Sequence, residues 1–224
     1  SLDGMEVVAS IDDDESGEIW VAGGTIIDRF DALSQSWLNP IDISDYITNP
    51  GQIVAIEQDG NNKVWIGTTN TGVLRLQNTD ATYIGNVGGL SSSEVSSLAY
   101  DDINAYLVVG HSQSGISIIN TNAMTLVDTI TTSDGLDSDF VRSVATRYGI
   151  AYMATPDKGV MRVELSTSTI IGSWQSLGAD DLESTPVAVD DDVIYIGLYE
   201  FGILVVDRLT GDISDFWNQD TNSL

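Results

Sequence analysis

Short apolar runs separated by turns rich in Gly, Asp and Asn recur along this chain at a fixed phase. The most regular run is almost continuously apolar: IWVAG, VWIGT, LVVG, AYMAT and IYIGL. Such a run, rich in Val, Ile and aromatic residues, predicts a strand buried on both faces. Before it lies a loosely alternating strand, with Val95, Leu98 and Tyr100 in one copy and Val141 and Val144 in the next. After it comes a third strand, GVLRL, GISII, GVMRV or GILVV, opened by Gly72, Gly115, Gly159 and Gly202. Glycine there supplies the backbone freedom to turn from a loop into a strand. The first copy has Ile27 in that slot, and its GGTIIDRF predicts a shorter loop. A fourth, irregular strand follows in each copy (SQSWLN, ATYIGN, MTLVDTI, TIIGSW, DISDFW). Its Asp, Thr and Ser suit a solvent-facing edge.

The runs fall into columns. One is Ile11, Ile56, Leu98, Val144 and Val187, at spacings of 45, 42, 46 and 43. Another is Ala22, Gly67, Gly110, Ala154 and Gly197, at 45, 43, 44 and 43. Two positions before each small residue stands Trp20, Trp65, Val108, Tyr152 or Tyr195, so large and small side chains alternate on one face and can interdigitate with a neighbour. A period of this length holding four strands predicts an all-β fold, a β-propeller of five four-stranded blades of about 42–46 residues each. Residues 1–224 then form one domain, with copies at about 5–50, 51–92, 93–138, 139–182 and 183–224. A β-sandwich would not impose a fixed period.

Two linkers carry a fuller motif, GGLSSSEVSSLAYD from Gly88 and SDGLDSDFVRSVAT from Ser133. With the VWIGT-type strand and GVLRL, these resemble two-component regulator propeller repeats: GL-x-S-x-x-V-x-S-I, an Asp-containing turn, then IWIGT and GL. The segment IVAIEQDGNNKVWIGTTNTGVLRL is the closest copy, while the linkers before the second and fifth repeats lack a clean GL-x-S. The resemblance implies a recognition module of the kind found in extracytoplasmic sensory regions of bacterial hybrid sensor kinases, which bind oligosaccharides or other ligands. It also implies a periplasmic, cell-surface or secreted location. The expected arrangement is five blades belonging to a longer protein, with first and last blades meeting face to face. Any unmet blade face is an apolar patch, so self-association is expected as well.

Charge narrows the partners. Thirty-four acids against eight bases give a net charge of −26. That argues against nucleic acid and anionic membrane as partners, since binding a polyanion needs Lys and Arg to release its counterions. No apolar run approaches the roughly 18–20 residues of a bilayer-spanning segment, so membrane insertion is not expected. The absence of cysteine removes disulfides, thiol catalysis and thiolate metal sites. Carbohydrate, peptide or protein ligands remain.

Candidate chemistry is sparse. Asp12, Asp14 and Ser16 match the opening of a calcium loop, D-x-D-x-S-G-x-I, although Gly23 stands where the twelfth-position acid belongs. Asp59-Gly60-Asn61-Asn62, Asp101-Asp102 and Asp190-Asp191-Asp192 occupy the same hairpin in other copies, which ordinary turn chemistry explains. Calcium is thus the one cofactor the sequence offers. His111, the only histidine, cannot form a two-histidine metal site, and a triad is equally out of reach; it reads as a solvated loop residue or a ligand contact. Glu57 is an isolated acid on a first strand and reads as structural or channel-lining. The loops joining second to third strands share one propeller mouth with the linkers into first strands. There the candidate ligand contacts are Thr69, Asn70, His111, Gln113, Asp157, Lys158, Tyr199, Glu200 and Phe201. No catalytic constellation emerges, so a non-enzymatic binding module is the leading reading. A carbohydrate-active enzyme of propeller fold, glycoside hydrolase or lyase, is the alternative, followed by an architectural segment of a large surface protein.

Overall fold

A computed structural model describes residues 18–61, 63–77, 80–84, 88–156, 158–174, 184–198 and 202–218. Their strands form five antiparallel sheets, each of four strands, and successive sheets are the blades of a propeller. The first blade contains β1 (Glu18–Gly23), β2 (Ile26–Asp31), β3 (Ser36–Trp37) and β4 (Ile41–Asp42). The second holds β5 (Ile53–Gln58), β6 (Val64–Thr68), β7 (Gly72–Gln77) and β8 (Asp80–Ile84). The third holds β9 (Val95–Asp101), β10 (Tyr106–His111), β11 (Ile116–Asn120) and β12 (Thr125–Ile130). The fourth holds β13 (Ser143–Arg147), β14 (Ile150–Thr155), β15 (Gly159–Glu164) and β16 (Thr169–Trp174). The fifth holds β17 (Ser184–Val189), β18 (Val193–Leu198), β19 (Gly202–Asp207) and β20 (Ile213–Trp217). Among the described residues no helix is long and apolar enough to cross a membrane.

The first blade departs from the others as its sequence suggests. β1 and β2 are joined by the short turn at Gly24 and Thr25, and two short strands, β3 and β4, share the outer position beside β2. The strand expected around Ile11 lies outside the described residues, as do Asp12, Asp14 and Ser16.

Continuous apolar second strands are buried on both faces in the middle of the molecule: every residue of β6 is buried, and all but the first of β10 and β14. Each face meets a different neighbour. Trp20, Ala22 and Ile27 pack with Ile53, Ile56 and Ile66 of the second blade. Trp65 and Val73 pack with Val95, Leu98 and Leu107 of the third. Val108 and Ile116 pack with Val141, Val144 and Met153 of the fourth. Tyr152, Ala154 and Val160 pack with Val187, Ile194 and Ile196 of the fifth. Each buried Val, Leu, Ile or Met side chain among these contributes about 1.5–3 kcal/mol through removal from water.

The column of small residues exists for the next blade's first strand. A Cβ on Gly67 would stand 2.6 Å from Val95 Cγ1, and one on Gly110 would stand 2.9 Å from Val144 Cγ2. The glycines that open third strands serve the backbone instead. Gly115 has φ +64°, and a Cβ there would lie 2.1 Å from the Ile130 carbonyl oxygen.

Hydrogen bonds stitch neighbouring blades at their inner strands. The Ile53 N–H donates to the Gly24 carbonyl at 2.8 Å. Tyr100 N–H donates to Glu57 Oε1 at 2.8 Å, the Thr146 hydroxyl donates to the Tyr100 carbonyl, and Val187 N–H donates to Ser143 Oγ at 3.1 Å. Glu57, conspicuous in the sequence as an isolated acid, is therefore a bridge between two blades. Asp59 likewise holds its own hairpin: its carboxylate accepts from Asn61 N–H, Lys63 N–H and the Trp65 indole N–H.

Among the described residues the fifth blade has one covered face. Along β18, Ile194, Ile196 and Leu198 are buried while the alternating Val193, Tyr195 and Gly197 are half-buried. Ile203 is 39% exposed, whereas its repeat equivalents Val73, Ile116 and Val160 are 0% exposed. The outward face of this blade keeps the residues of a blade–blade interface, Tyr195, Gly197 and Ile203, without the covering that the inner blades receive among the described residues.

Candidate functional site

A linker rich in Ser, Thr and Asp leads from β12 to β13, and these residue types hydrogen-bond nearby backbone in turns. Thr131 caps the short 3-10 turn Thr132–Asp134 through a reciprocal capping box, and Gly135, at φ +102°, ends it. The Asp139 carboxylate accepts from Thr132 N–H at 2.7 Å and from the Thr132 hydroxyl at 2.8 Å. Its carbonyl accepts from Gly115 N–H at 3.0 Å. Phe140 N–H donates to Ser138 Oγ at 3.1 Å, Val141 N–H to the His111 carbonyl at 3.2 Å, and Arg142 N–H to the Ala154 carbonyl at 3.0 Å. The backbone is thus pinned on both sides of Phe140, whose ring is nonetheless 48% exposed. Phe140 thus presents an apolar side chain to solvent from a backbone fixed by hydrogen bonds.

Opposite this linker runs the loop from β10 to β11. Between them opens a cavity of about 390 Å³ lined by Ser96, Ser112, Gln113, Phe140, Val141 and Arg142. That is within the range of small-ligand pockets, roughly 300–1,000 Å³. Ser96 and Arg142 each follow a buried valine, Val95 at the start of β9 and Val141 just before β13, so they hold the same repeat position in neighbouring blades. The Ser96 hydroxyl oxygen is buried and has no hydrogen-bond partner among the described residues.

Arg142 stands apart from the other arginines. Arg29 lies over Trp20, Arg75 over Trp65, Arg162 over Trp174, and both Arg147 and Arg208 over Tyr148. Arg29 also pairs with Glu18, and Arg147 with Asp191. Arg142 is exposed and forms no ion pair or ring contact among the described residues. In a chain of net charge −26 such an uncommitted guanidinium at a cavity is conspicuous.

Next in the chain to the lining residue Ser112 stands the one histidine. The sequence suggested a solvated loop residue; the structure corrects this, because His111 is the last residue of β10 and is 0% exposed. Its Nδ1 lies 3.1 Å from the Glu94 carbonyl, which can only accept, so Nδ1 carries the proton. Nε2 therefore accepts from the Ser117 hydroxyl at 2.9 Å. Ser117 Oγ in turn accepts from Ser91 N–H at 3.1 Å. Burial pushes the imidazole pKa down from 6.5 to about 4, partly opposed by the Glu94 carbonyl. His111 thus ties the linker at Ser91–Glu94 to the third blade as a neutral ring. It is an internal strut.

The other sequence candidates separate into three groups. Gln113 lines the cavity. Thr69 and Lys158 serve turns: Thr69 Oγ1 accepts from Gln52 N–H at 3.0 Å, and Lys158 N–H donates to Thr155 Oγ1 at 3.1 Å, while Asn70 is exposed beside Gly51. Asp157, Tyr199, Glu200 and Phe201 lie outside the described residues. The sequence reading missed Ser96, Ser112, Phe140 and Arg142. One signal was available for Phe140: the residue before the first inner-strand apolar position is Gln52 in the second copy and Glu94 in the third, and an aromatic stands there in the fourth.

Comparison with known proteins agrees with this architecture. Residues 49–70, covering β5 and β6, match the family model of the two component regulator propeller, which bears out the resemblance seen in the sequence. No curated protein matches the chain. Among solved structures, the extracellular domain of BT4673 from B. thetaiotaomicron, named there as a one component system, superposes with a TM-score of 0.76 at 15% identity. That match covers 98% of this chain and 32% of the other. A chain of the Mitotic Checkpoint Complex superposes with a TM-score of 0.74 at 14% identity, covering 95% of this chain and 65% of that one. This chain therefore spans about a third of the first protein and less than two thirds of the second. Likeness at these identities establishes the propeller fold.

Proposed function

We propose that this propeller is a non-enzymatic recognition module, extracytoplasmic and of sensory type, that seats a saccharide in the cavity between its third and fourth blades. The observation that carries the reading is the exposed phenyl ring of Phe140 on a backbone pinned from Asp139 to Arg142, facing a cavity lined by hydroxyl and amide groups. A sugar ring offers an apolar C–H face to an aromatic and hydroxyls to groups such as Ser96, Ser112 and Gln113. A backbone fixed in this way lowers the ordering cost of binding. The family match at residues 49–70 and the fold shared with an extracellular domain support the sensory assignment and the location.

The test is a screen of the whole chain against a glycan array and a peptide array, repeated with Phe140→Ala. Saturable glycan binding that weakens at least about tenfold in the variant is expected, as for loss of a central aromatic contact. Glycan binding indifferent to Phe140, or peptide binding with no glycan binding, would overturn the assignment.

A further inference from the structure

The cavity also carries information about the charge of what it holds. Five of the six arginines are spent on aromatic rings or acids of the protein itself, and only Arg142 stands uncommitted at the cavity. Its main chain is fixed by the bond from its N–H to the Ala154 carbonyl. The neighbouring Ser96 hydroxyl is buried without a partner among the described residues, so a ligand atom reaching it would satisfy a polar group left unpaired in the free protein.

We infer that the ligand bears a carboxylate on its ring, paired with the Arg142 guanidinium while the ring lies against Phe140 and the Ser96 hydroxyl is satisfied. The inference rests on the saccharide reading above and gives it a substrate class, the uronic-acid sugars. Guanidinium and carboxylate match as two parallel N–H···O bonds, about twice as strong as neutral ones. One guanidinium suits one negative charge. A phosphate dianion would bring a second charge into the field of a molecule at −26, with no second cation in the lining to meet it.

The experiment uses methyl galacturonoside, which carries a single carboxylate, and its methyl ester as probes of the ¹⁵N-labelled chain, at about 0.15 M salt so that the overall repulsion is screened beyond about 8 Å. Saturable amide shifts at Gln113 and Phe140–Arg142 are expected with the acid, at least tenfold weaker with the ester. The Arg142→Gln variant should lose the preference for the acid, and Arg142→Lys should restore it in part. Shifts there with equal affinity for acid and ester would overturn the carboxylate assignment and leave saccharide recognition standing. Absence of any shift at those residues with methyl galacturonoside, in a chain whose array binding depends on Phe140, would overturn it too. If the array shows no Phe140-dependent glycan binding, it is the recognition reading that fails.

Discussion

The His111 strut yields a quantitative prediction about pH. The imidazole is neutral in the folded chain because burial lowers its pKa from 6.5 to about 4. In the unfolded chain it titrates near 6.5. Below that value the unfolded state binds a proton the folded state refuses, so the strut's contribution is full above pH 6.5 and declines as pH falls toward 4. Between about pH 7 and about pH 5 the loss amounts to roughly 2 kcal/mol, from the ratio of the two binding polynomials. This window lies above the range in which most of the carboxylates protonate, so the two titrations can be separated.

Two measurements check it. Because His111 is the only histidine, its ring gives a single imidazole signal in a proton NMR titration, and the midpoint should fall near pH 4, below the ordinary 6.5. Denaturant unfolding followed by tryptophan fluorescence, at fixed ionic strength, should show wild type losing about 2 kcal/mol more than His111→Gln over the same pH interval. The variant's own cost cancels, since only its pH dependence enters. A midpoint at or above pH 6, or parallel pH dependences in the two proteins, would refute the argument. It would mean that the ring is solvated or that its partners stabilise the imidazolium.

Two further predictions concern charge and the edge of the blade stack. With a net charge of −26, the unfolding midpoint should rise as sodium chloride goes from about 0.05 M to about 1 M, through screening; an unchanged midpoint would refute self-repulsion as a significant term, and a gain specific to calcium at equal ionic strength would instead reveal a bound cation. Ile116 and Ile203 hold one repeat position but differ in cover, at 0% and 39% exposed, so Ile116→Ala should cost about 2–5 kcal/mol and Ile203→Ala under about 1.5, and equal losses would show that the fifth blade's outward face is packed in solution.

What the sequence could reveal is set by periodicity. A strand's burial pattern repeats wherever the same two neighbours recur, so the columns from Trp20 to Tyr195 and from Ala22 to Gly197 announced both strand order and blade contacts. The same logic exposes the fifth blade: Tyr195, Gly197 and Ile203 keep the interface residues, and only the structure reveals that, among the described residues, β18 is covered on one face. His111 was misread for a related reason. It follows the last residue of a repeat column, Gly110, where the sequence alone suggests a loop, but β10 runs one residue further and pairs it with Val95 across a register shift. The site was illegible for the opposite reason. Ser96 and Arg142 share one repeat position, yet one is a small hydroxyl and the other a cation, so no column marks them. Phe140 comes from a linker whose fixed geometry depends on Asp139 reaching back seven residues to Thr132. A repeat scaffold conceals its function in this way: positions that recur are committed to packing, and a site can be built only where neighbouring copies differ. The third and fourth blades differ most informatively at Ser96 and Arg142, and there the cavity opens.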